Sequence, residues 1–428
     1  MGPLRVLISG ASIAGPALAY WLKRMGIPCS VTVVERAARL RPEGQGLDIR
    51  DAARDVVKRM GIFDKVRDRS SHEEGIMAVS GDNKAYASFA VDLDSGKGDS
   101  ITSDVEILRG ELAQILYDET KADSRYIFGD TIDSLEETGK DVTVHFANGT
   151  PSSTFDLVVA ADGLGSRVRT MAFGRDAVRI KSFNAYVSYF SVPPSDLDST
   201  WARVHWLDRG RCIVLRPDNV GRTRAFLMVL GAGASDERIA RLARAAKEGV
   251  AAQKALNQQL FADAGWEAKR ILEGMHVADD FYLQHVAQVY MDAWSTQHVT
   301  VVGDAGYACS PFAGMGTSNA FIGAYVLAGE ISRQPSDVPA ALKAYERVLR
   351  PHVEGIQKVP YGVPWLFVPQ TRLGVRVLET FIWSVSALSG SPLGALFSKV
   401  SKFVPWGSEV PWKLPEYEAF EEREKSAL

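Results

Sequence analysis

The sequence predicts an α/β fold, α+β overall: a parallel sheet with covering helices, an inserted and mainly antiparallel sheet, and a helical extension at the C-terminal end. Three observations predict it. Short apolar strands end in Gly-rich turns at Gly10, Asp162 and Asp304, and in a parallel sheet such ends gather on one edge, where ligands bind. Runs rich in aromatic and β-branched residues fill the middle of the chain. Helical periodicity resumes from about Thr317. At 428 residues the chain suits two domains, or one large domain with a second inserted.

Composition narrows the function classes. Hydrophobic content of 46% and charge of 24% are ordinary for a globular protein. A formal net charge of −3 argues against nucleic acid as a partner. Cys29, Cys212 and Cys309 are widely spaced, without a CxxC pair, which points to a reducing, cytoplasmic compartment and no zinc. Cys309 reads as a packing residue. His205, His276 and His285 lack metal-ligand spacing, so no metal site is expected.

Residues 4–9 read as a buried strand and residues 16–24 as a helix, which Gly26 ends; residues 30–36 read as the next strand. Arg5 with the apolar run 6–22 resembles a signal peptide, but the Gly and Ser residues inside that run fit a βαβ unit better. Between strand and helix lies G-x-S-x-x-G, a Rossmann-like dinucleotide fingerprint. Gly10 allows the tight turn and Gly15 close helix–strand packing. Ser12 stands where the middle Gly lets a pyrophosphate approach, with Ile13 and Ala14 completing the loop. Glu35 lies about 20 residues past Gly15, where an acid holds adenosine ribose hydroxyls, and Arg36 follows it.

The loop 41–50 is Gly-rich and leads into a strand; Gln45, Gly46 and Arg50 are its candidate contacts. A helix over about 51–60 follows, then strand-like sequence over 74–90 and a polar loop over 92–104. Arg109 opens a helix, where the dipole disfavours a cation, so it is expected to serve another purpose. Residues 126–134 and 141–147 read as a strand pair, the second strand alternating apolar and polar and ending at an Asn148–Gly149 turn signal, with His145 on the solvated phase. Residues 156–162 form a buried strand ending in Asp162-Gly163, with Arg167 and Arg169 one turn later.

Residues 181–192, 203–207, 211–216 and 222–230 read as strands of one sheet, carrying Phe183, Tyr186, Tyr189, Phe190, Trp206 and Phe226. Aromatics on one face more often make core than substrate contacts. Amphipathic helices over 235–247 and 250–264 are expected to cover its other side. Residues 299–302 form a last buried strand ending in Gly303-Asp304. A loop with Pro311, Gly314, Met315 and Gly316 then feeds a helix, an arrangement suited to anionic or electron-rich groups. A further helix spans 338–359. The apolar stretch 373–400 is too interrupted to cross a membrane and reads as a helix bracing two domains.

Gly10 to Gly15 with Glu35, Arg109-x-x-Leu112, Asp162-Gly163, and Gly303-Asp304 with the Pro311–Gly316 loop resemble the ordered motifs of class A flavoprotein monooxygenases, the para-hydroxybenzoate hydroxylase fold. The opening G-A-S-I-A-G-P-A-L-A is most similar to tetracycline-inactivating monooxygenases and related tailoring enzymes. The resemblance covers about residues 1–355. It implies an FAD domain over 1–75, 103–175 and 290–360, a substrate domain over 76–102 and 176–289, and a C-terminal bridging helix and tail over 361–428. It also implies one tightly bound FAD, with NAD(P)H, more often NADPH, as transient co-substrate near Asp162-Gly163. Glu35 would hold the adenosine ribose, Arg109 the flavin side, and Asp304 the ribityl or phosphate region. The Pro311–Gly316 loop would face the flavin pyrimidine edge, where a helix dipole favours the charge of reduced flavin.

The implied reaction inserts one atom of O2 into an aromatic or polyketide-like small molecule through a flavin C4a-hydroperoxide, with hydroxylation foremost. Baeyer–Villiger insertion and epoxidation use the same intermediate. A flavin halogenase would carry W-x-W-x-I-P, which is absent. A non-catalytic carrier of a hydrophobic ligand is the alternative from a different class.

Overall fold

The computed structural model describes residues 2–41, 44–71, 73–90, 106–359, 362–388 and 412–421. The polar loop expected over 92–104 and much of the tail lie outside these residues.

A five-stranded parallel sheet runs in the order Val299–Val301, Leu157–Ala160, Leu4–Ser9, Cys29–Glu35, Arg125–Phe128. Its central strand buries Val6, Leu7 and Ile8 completely, as a strand covered on both faces requires. The helices Ala14–Leu22 and Gly316–Arg333 pack on each other, and Trp21 meets Tyr325 edge-on with centroids 5.0 Å apart. This layer holds the largest core.

The strand pair expected over 126–147 is divided between two sheets. Gly129, at φ +78, ends the strand Arg125–Phe128, which joins the parallel sheet. Ile132–Glu137 then pairs with Val142–Phe146 in a separate three-stranded sheet. The break is held by the buried Asp130, whose carboxylate accepts the amides of Thr131, Asn148 and Thr150. Such a carboxylate serves local turns better than a continuous ladder.

The third sheet has seven strands in the order Tyr282–Met291, Val178–Val192, Thr223–Leu230, Arg211–Pro217, Trp201–Leu207, Gly75–Val79, Ala85–Ala90. All neighbours are antiparallel except Trp201–Leu207 with Gly75–Val79. Helices Glu237–Glu248 and Val250–Phe261 cover one face, joined by a third, Ala268–Val277, which periodicity did not single out. The other face carries Phe183, Tyr189, Phe226 and Tyr282. Tyr189 stacks on Tyr282 at 4.9 Å and meets Phe226 edge-on at 4.8 Å.

After Gly303 the chain makes a helical turn, Asp304–Tyr307, where a plain loop was expected. Gly303 turns the chain at φ +66, and the buried Tyr307 hydroxyl bonds to that of Tyr345 at 2.8 Å. The C-terminal helix Arg372–Leu388 lies along the outer strands of the large sheet. Residues 412–421 return to the parallel-sheet layer, where Tyr417 packs over Gly329 and donates to Glu330 at 2.8 Å. Among the described residues no helix is long and apolar enough to cross a membrane, and no His, Cys, Asp and Glu cluster could hold a metal ion.

Candidate functional site

The site begins with two glycines. A Cβ at Gly10, whose φ is +113, would stand 2.5 Å from the Ala161 carbonyl oxygen, and one at Gly15 would stand 1.9 Å from the Gly10 oxygen. Only glycine lets the first strand end pass this close to the second and to its own helix. The helix Ala14–Leu22 starts without a side-chain cap or an acidic residue in its first turn, and Gly316–Arg333 starts the same way behind Met315. Both present N-terminal N–H groups and positive dipole ends near the strand ends. Gly303 lies between the two, since a Cβ built on it would stand 3.4 Å from that of Ala14 and 3.7 Å from that of Ala320. Ile13, just before the first helix, is buried.

At one end of this arrangement, Glu35 accepts the Ala11 amide at 3.0 Å and the Ala37 amide at 2.9 Å, which sets its carboxylate against the glycine loop. Arg36 beside it is exposed. At the other end, Arg109 Nε donates to Ser12 Oγ at 3.0 Å. Asp304 has open surface, yet burial by surrounding protein raises its carboxyl above the ordinary range, with the Arg109 charge opposing. A carboxylate that is both accessible and desolvated lines a recess rather than a convex surface. Its Oδ1 would be 3.9 Å from a Cβ on Gly316.

Asp162 turns inward. Its carboxylate takes the Ser166 hydroxyl at 2.5 Å and the Arg167 amide at 2.9 Å, capping the helix Arg167–Phe173, while burial raises its carboxyl. Gly163 next to it has open space and a φ of +80. Arg169 is buried and donates to the Ala305 carbonyl at 2.6 Å and the Leu164 carbonyl at 2.9 Å, tying the second strand end to the third.

The loop 44–50 enters a two-stranded ribbon in which Gly46–Asp48 pairs with Glu106–Leu108. The Arg109 amide donates to the Gln45 carbonyl at 3.0 Å, placing both candidates at one end of the ribbon. Gln45 Oε1 accepts the Tyr282 hydroxyl, so this end also touches the aromatic face of the large sheet. Gly44, Gln45, Tyr189 and Tyr282 share the lining of a small cavity there with the Arg224–Asp280 ion pair. The Arg50 amide donates to the buried Ser318 hydroxyl at 3.0 Å, and its guanidinium pairs with Asp48 at 2.8 Å. Pro311 opens a 3-10 turn that Gly314 closes at φ +63, and Phe312 in that turn meets Phe183 at 5.7 Å.

The family described as "FAD binding domain" matches residues 3–358. The monooxygenase CTB7 of Cercospora beticola is 33% identical over 97% of this chain and 97% of its own length. The chain belongs to the FAD-dependent monooxygenases. The FAD-dependent monooxygenase asL6 of Sarocladium schorii is 33% identical over 98% of this chain and 99% of its own. The solved tetracycline destructase Tet(55) superposes with a TM-score of 0.78 at 29% identity, over 97% of this chain and 100% of its own.

The residues of this monooxygenase fit FAD. Two uncapped helix N-termini flank the strand ends, Gly10 and Gly15 leave the backbone bare, and Asp304 with Arg109 lines a recess beside them. The flavoenzyme also uses side chains that sequence reasoning did not assign. Arg169, Ser318 and Tyr282 each pin a piece of the site to another element. Arg169 stood in view one turn after Asp162-Gly163; nothing local to Ser318 or Tyr282 marks them, because their partners are 268 and 237 residues away.

Proposed function

We propose that this enzyme uses NADPH and O2 to hydroxylate an electron-rich carbon of an aromatic or polyketide-like small molecule. The observation that carries the reading is the contact between Gln45 and Tyr282. It sets the Gly-rich ribbon against a sheet face bearing Phe183, Tyr189, Phe226 and Tyr282, with Phe312 reaching across from the third strand end. An apolar aromatic wall with few polar groups is what a planar, weakly polar substrate needs. The name tetracycline destructase, borne by a neighbour of the same fold, supports a polycyclic polyketide class.

When bound, FAD would take hydride from NADPH and activate O2; the chain's own work is binding, orientation and exclusion of water. Glu35 would hold the adenosine ribose, with Ser12, Ile13 and Ala14 along the pyrophosphate. Arg109 would serve the flavin side and Asp304 the ribityl or phosphate region. The turn from Pro311 to Gly316 and the helix behind it would face the flavin pyrimidine edge. Gly163, open and next to the internally committed Asp162, would leave room for NADPH. Gln45, Gly46 and Arg50 would border flavin and substrate.

The test is a screen of phenols and polyketides against the FAD-loaded protein. It follows NADPH and NADH oxidation together with product and hydrogen peroxide. A ligand that accelerates NADPH oxidation and appears as a singly oxygenated product, assigned as hydroxylated by NMR, supports the reading. A lactone or epoxide product would reassign the reaction, and a protein that takes up no FAD would make it a carrier.

A further inference from the structure

Behind the ribbon lies a group of charges that the reaction does not account for. Glu106 is 6% exposed and sits on the strand three residues before Arg109. Its carboxylate accepts from Arg216 Nη2, which reaches over from the strand Arg211–Pro217 of the large sheet. Arg216 is clasped a second time by Glu73, with Nε and Nη2 both at 2.9 Å from the two Glu73 oxygens. Glu106 Oε1 lies against the ribbon backbone so closely that a Cβ on Gly46 would fall 1.8 Å from it. The carboxylate therefore occupies the space a side chain at position 46 would take.

The charges facing Glu106 can be counted element by element. Asp48 is its direct partner in the ribbon register, and Arg50 pairs with Asp48. Glu73 comes from the segment before Gly75–Val79, and Arg216 from the large sheet. The short helix Phe63–Asp68 also packs on this strand, but Lys65 there pairs with Glu119 and Arg67 with Asp64. The helix Gly316–Arg333 contributes the neutral Ser318. Among the described residues, three carboxylates thus face two guanidinium groups, with Glu106 and Glu73 buried and Asp48, Arg50 and Arg216 about one-fifth exposed. Among these groups one carboxylate is in excess, and burial is the largest influence on Glu106, pushing its carboxyl well above the usual carboxylate range.

We infer that the Glu73–Arg216–Glu106 cluster is a positioning device that clamps the ribbon bearing Gln45 and Arg109 to the large sheet, and that it holds firmly only while Glu106 keeps a proton. With Glu106 neutral, Arg216 and Glu73 form a satisfied pair and Glu106 fills the space over Gly46. Loss of the proton leaves two glutamates competing for one guanidinium at the centre of the clamp, and like charges in a dry site part. The ribbon then loosens, and Gln45 and Arg109 move with it. Glu106 acts only through these residues. Its relevance to the flavin rests on the reading that the ribbon end faces FAD.

The test is hydrogen exchange on the full, flavin-free chain at pH 6.5 and 9, corrected for intrinsic rates, in the wild type, Glu106→Gln and Glu73→Gln. In the wild type the peptides covering 44–50 and 106–112 are expected to lose at least about threefold of their protection at the higher pH, while the strand Leu4–Ser9 is unchanged. Glu106→Gln, which keeps the shape without the charge, should hold its protection at both pH values. Glu73→Gln leaves Arg216 to Glu106 alone and should also abolish the loss, which keeps the test decisive if one variant fails to fold. A wild type with no pH response, or a Glu106→Gln variant with the same response, overturns the clamp. Flavin absorbance of the FAD-loaded proteins supplies the second readout. Exchange that responds while the flavin spectrum does not would leave the clamp standing and refute the flavin-facing reading of the ribbon.

Discussion

Arg109 Nε donates to Ser12 Oγ at 3.0 Å, across a sequence separation of 97 residues. The serine that replaces the middle glycine of the fingerprint is therefore the anchor for the arginine that looked misplaced at a helix start. The two departures from pattern explain each other: the loop gives up a bare backbone position and gains a hydroxyl that aims a guanidinium.

Arg109→Ala is expected to weaken FAD binding by roughly ten- to a hundredfold, equivalent to about 1.5–3 kcal/mol for a hydrogen bond to a charged group. Flavin fluorescence titration checks it. Ser12→Gly should cost much less, because it removes the aim and not the charge. Unchanged occupancy and turnover in Arg109→Ala would remove the residue from the site.

Gly15→Ala is expected to lower stability by about 1–3 kcal/mol and to abolish copurified flavin, because the new Cβ would stand 1.9 Å from the Gly10 oxygen. Thermal melts with and without added FAD measure it. A variant that melts and colours like the wild type would show that the loop is not held as described.

Arg169→Met leaves the Ala305 and Leu164 carbonyls without their donor and should cost about 2–3 kcal/mol. Since Ala305 follows Asp304, FAD affinity should fall in proportion. Stability lost with FAD affinity intact would confine Arg169 to a structural role.

The Asp304 carboxyl is raised by burial, so its folded pKa exceeds its unfolded one. A raised acid favours the folded state fully below the unfolded pKa, near 3.8, and that favour is lost as pH rises through the folded value. In the flavin-free protein, Asp304→Asn should therefore gain stability over the wild type between pH 4 and pH 7. Urea denaturation of both proteins at the two pH values reads the difference; a gap that narrows as pH rises would contradict the assignment.

Burial pushes the thiols of Cys29, Cys212 and Cys309 up to about 12 each. All three are free and buried. The folded protein should react negligibly with a thiol reagent at pH 8 and release three equivalents once unfolded. Rapid native labelling at Cys309 would mean that the loop after Asp304 opens.

Much of the fold was legible because its signals are local. A strand buried on both faces must be apolar without interruption, so residues 4–9 and 299–302 declare themselves, and a glycine at a strand–helix junction marks a close approach that no other residue permits. Local pattern over 126–134 gives one strand; what divides it is Asp130, whose partners lie far along the chain at Asn148 and Thr150. The third helix over the large sheet buries Ile271, Leu272 and Met275 at helical spacing, but it is short and bounded by irregular segments over 262–267 and 278–281, so its period is weak in the sequence.

The Gly-rich turns that end three of the strands are written locally in the chain, as are the positions of Glu35, Arg109 and Asp304 at element ends. Those are properties of short stretches, set by backbone conformation and hydrophobic period. Which of them touch is set by packing across the whole chain. Arg109 on Ser12, Arg169 on Ala305, Arg50 on Ser318, Gln45 on Tyr282 and Glu106 on Arg216 are contacts over 97 to 268 residues of chain. Pairings of that range depend on how two sheets and a ribbon are placed against each other, which packing of the whole core selects and no local pattern encodes.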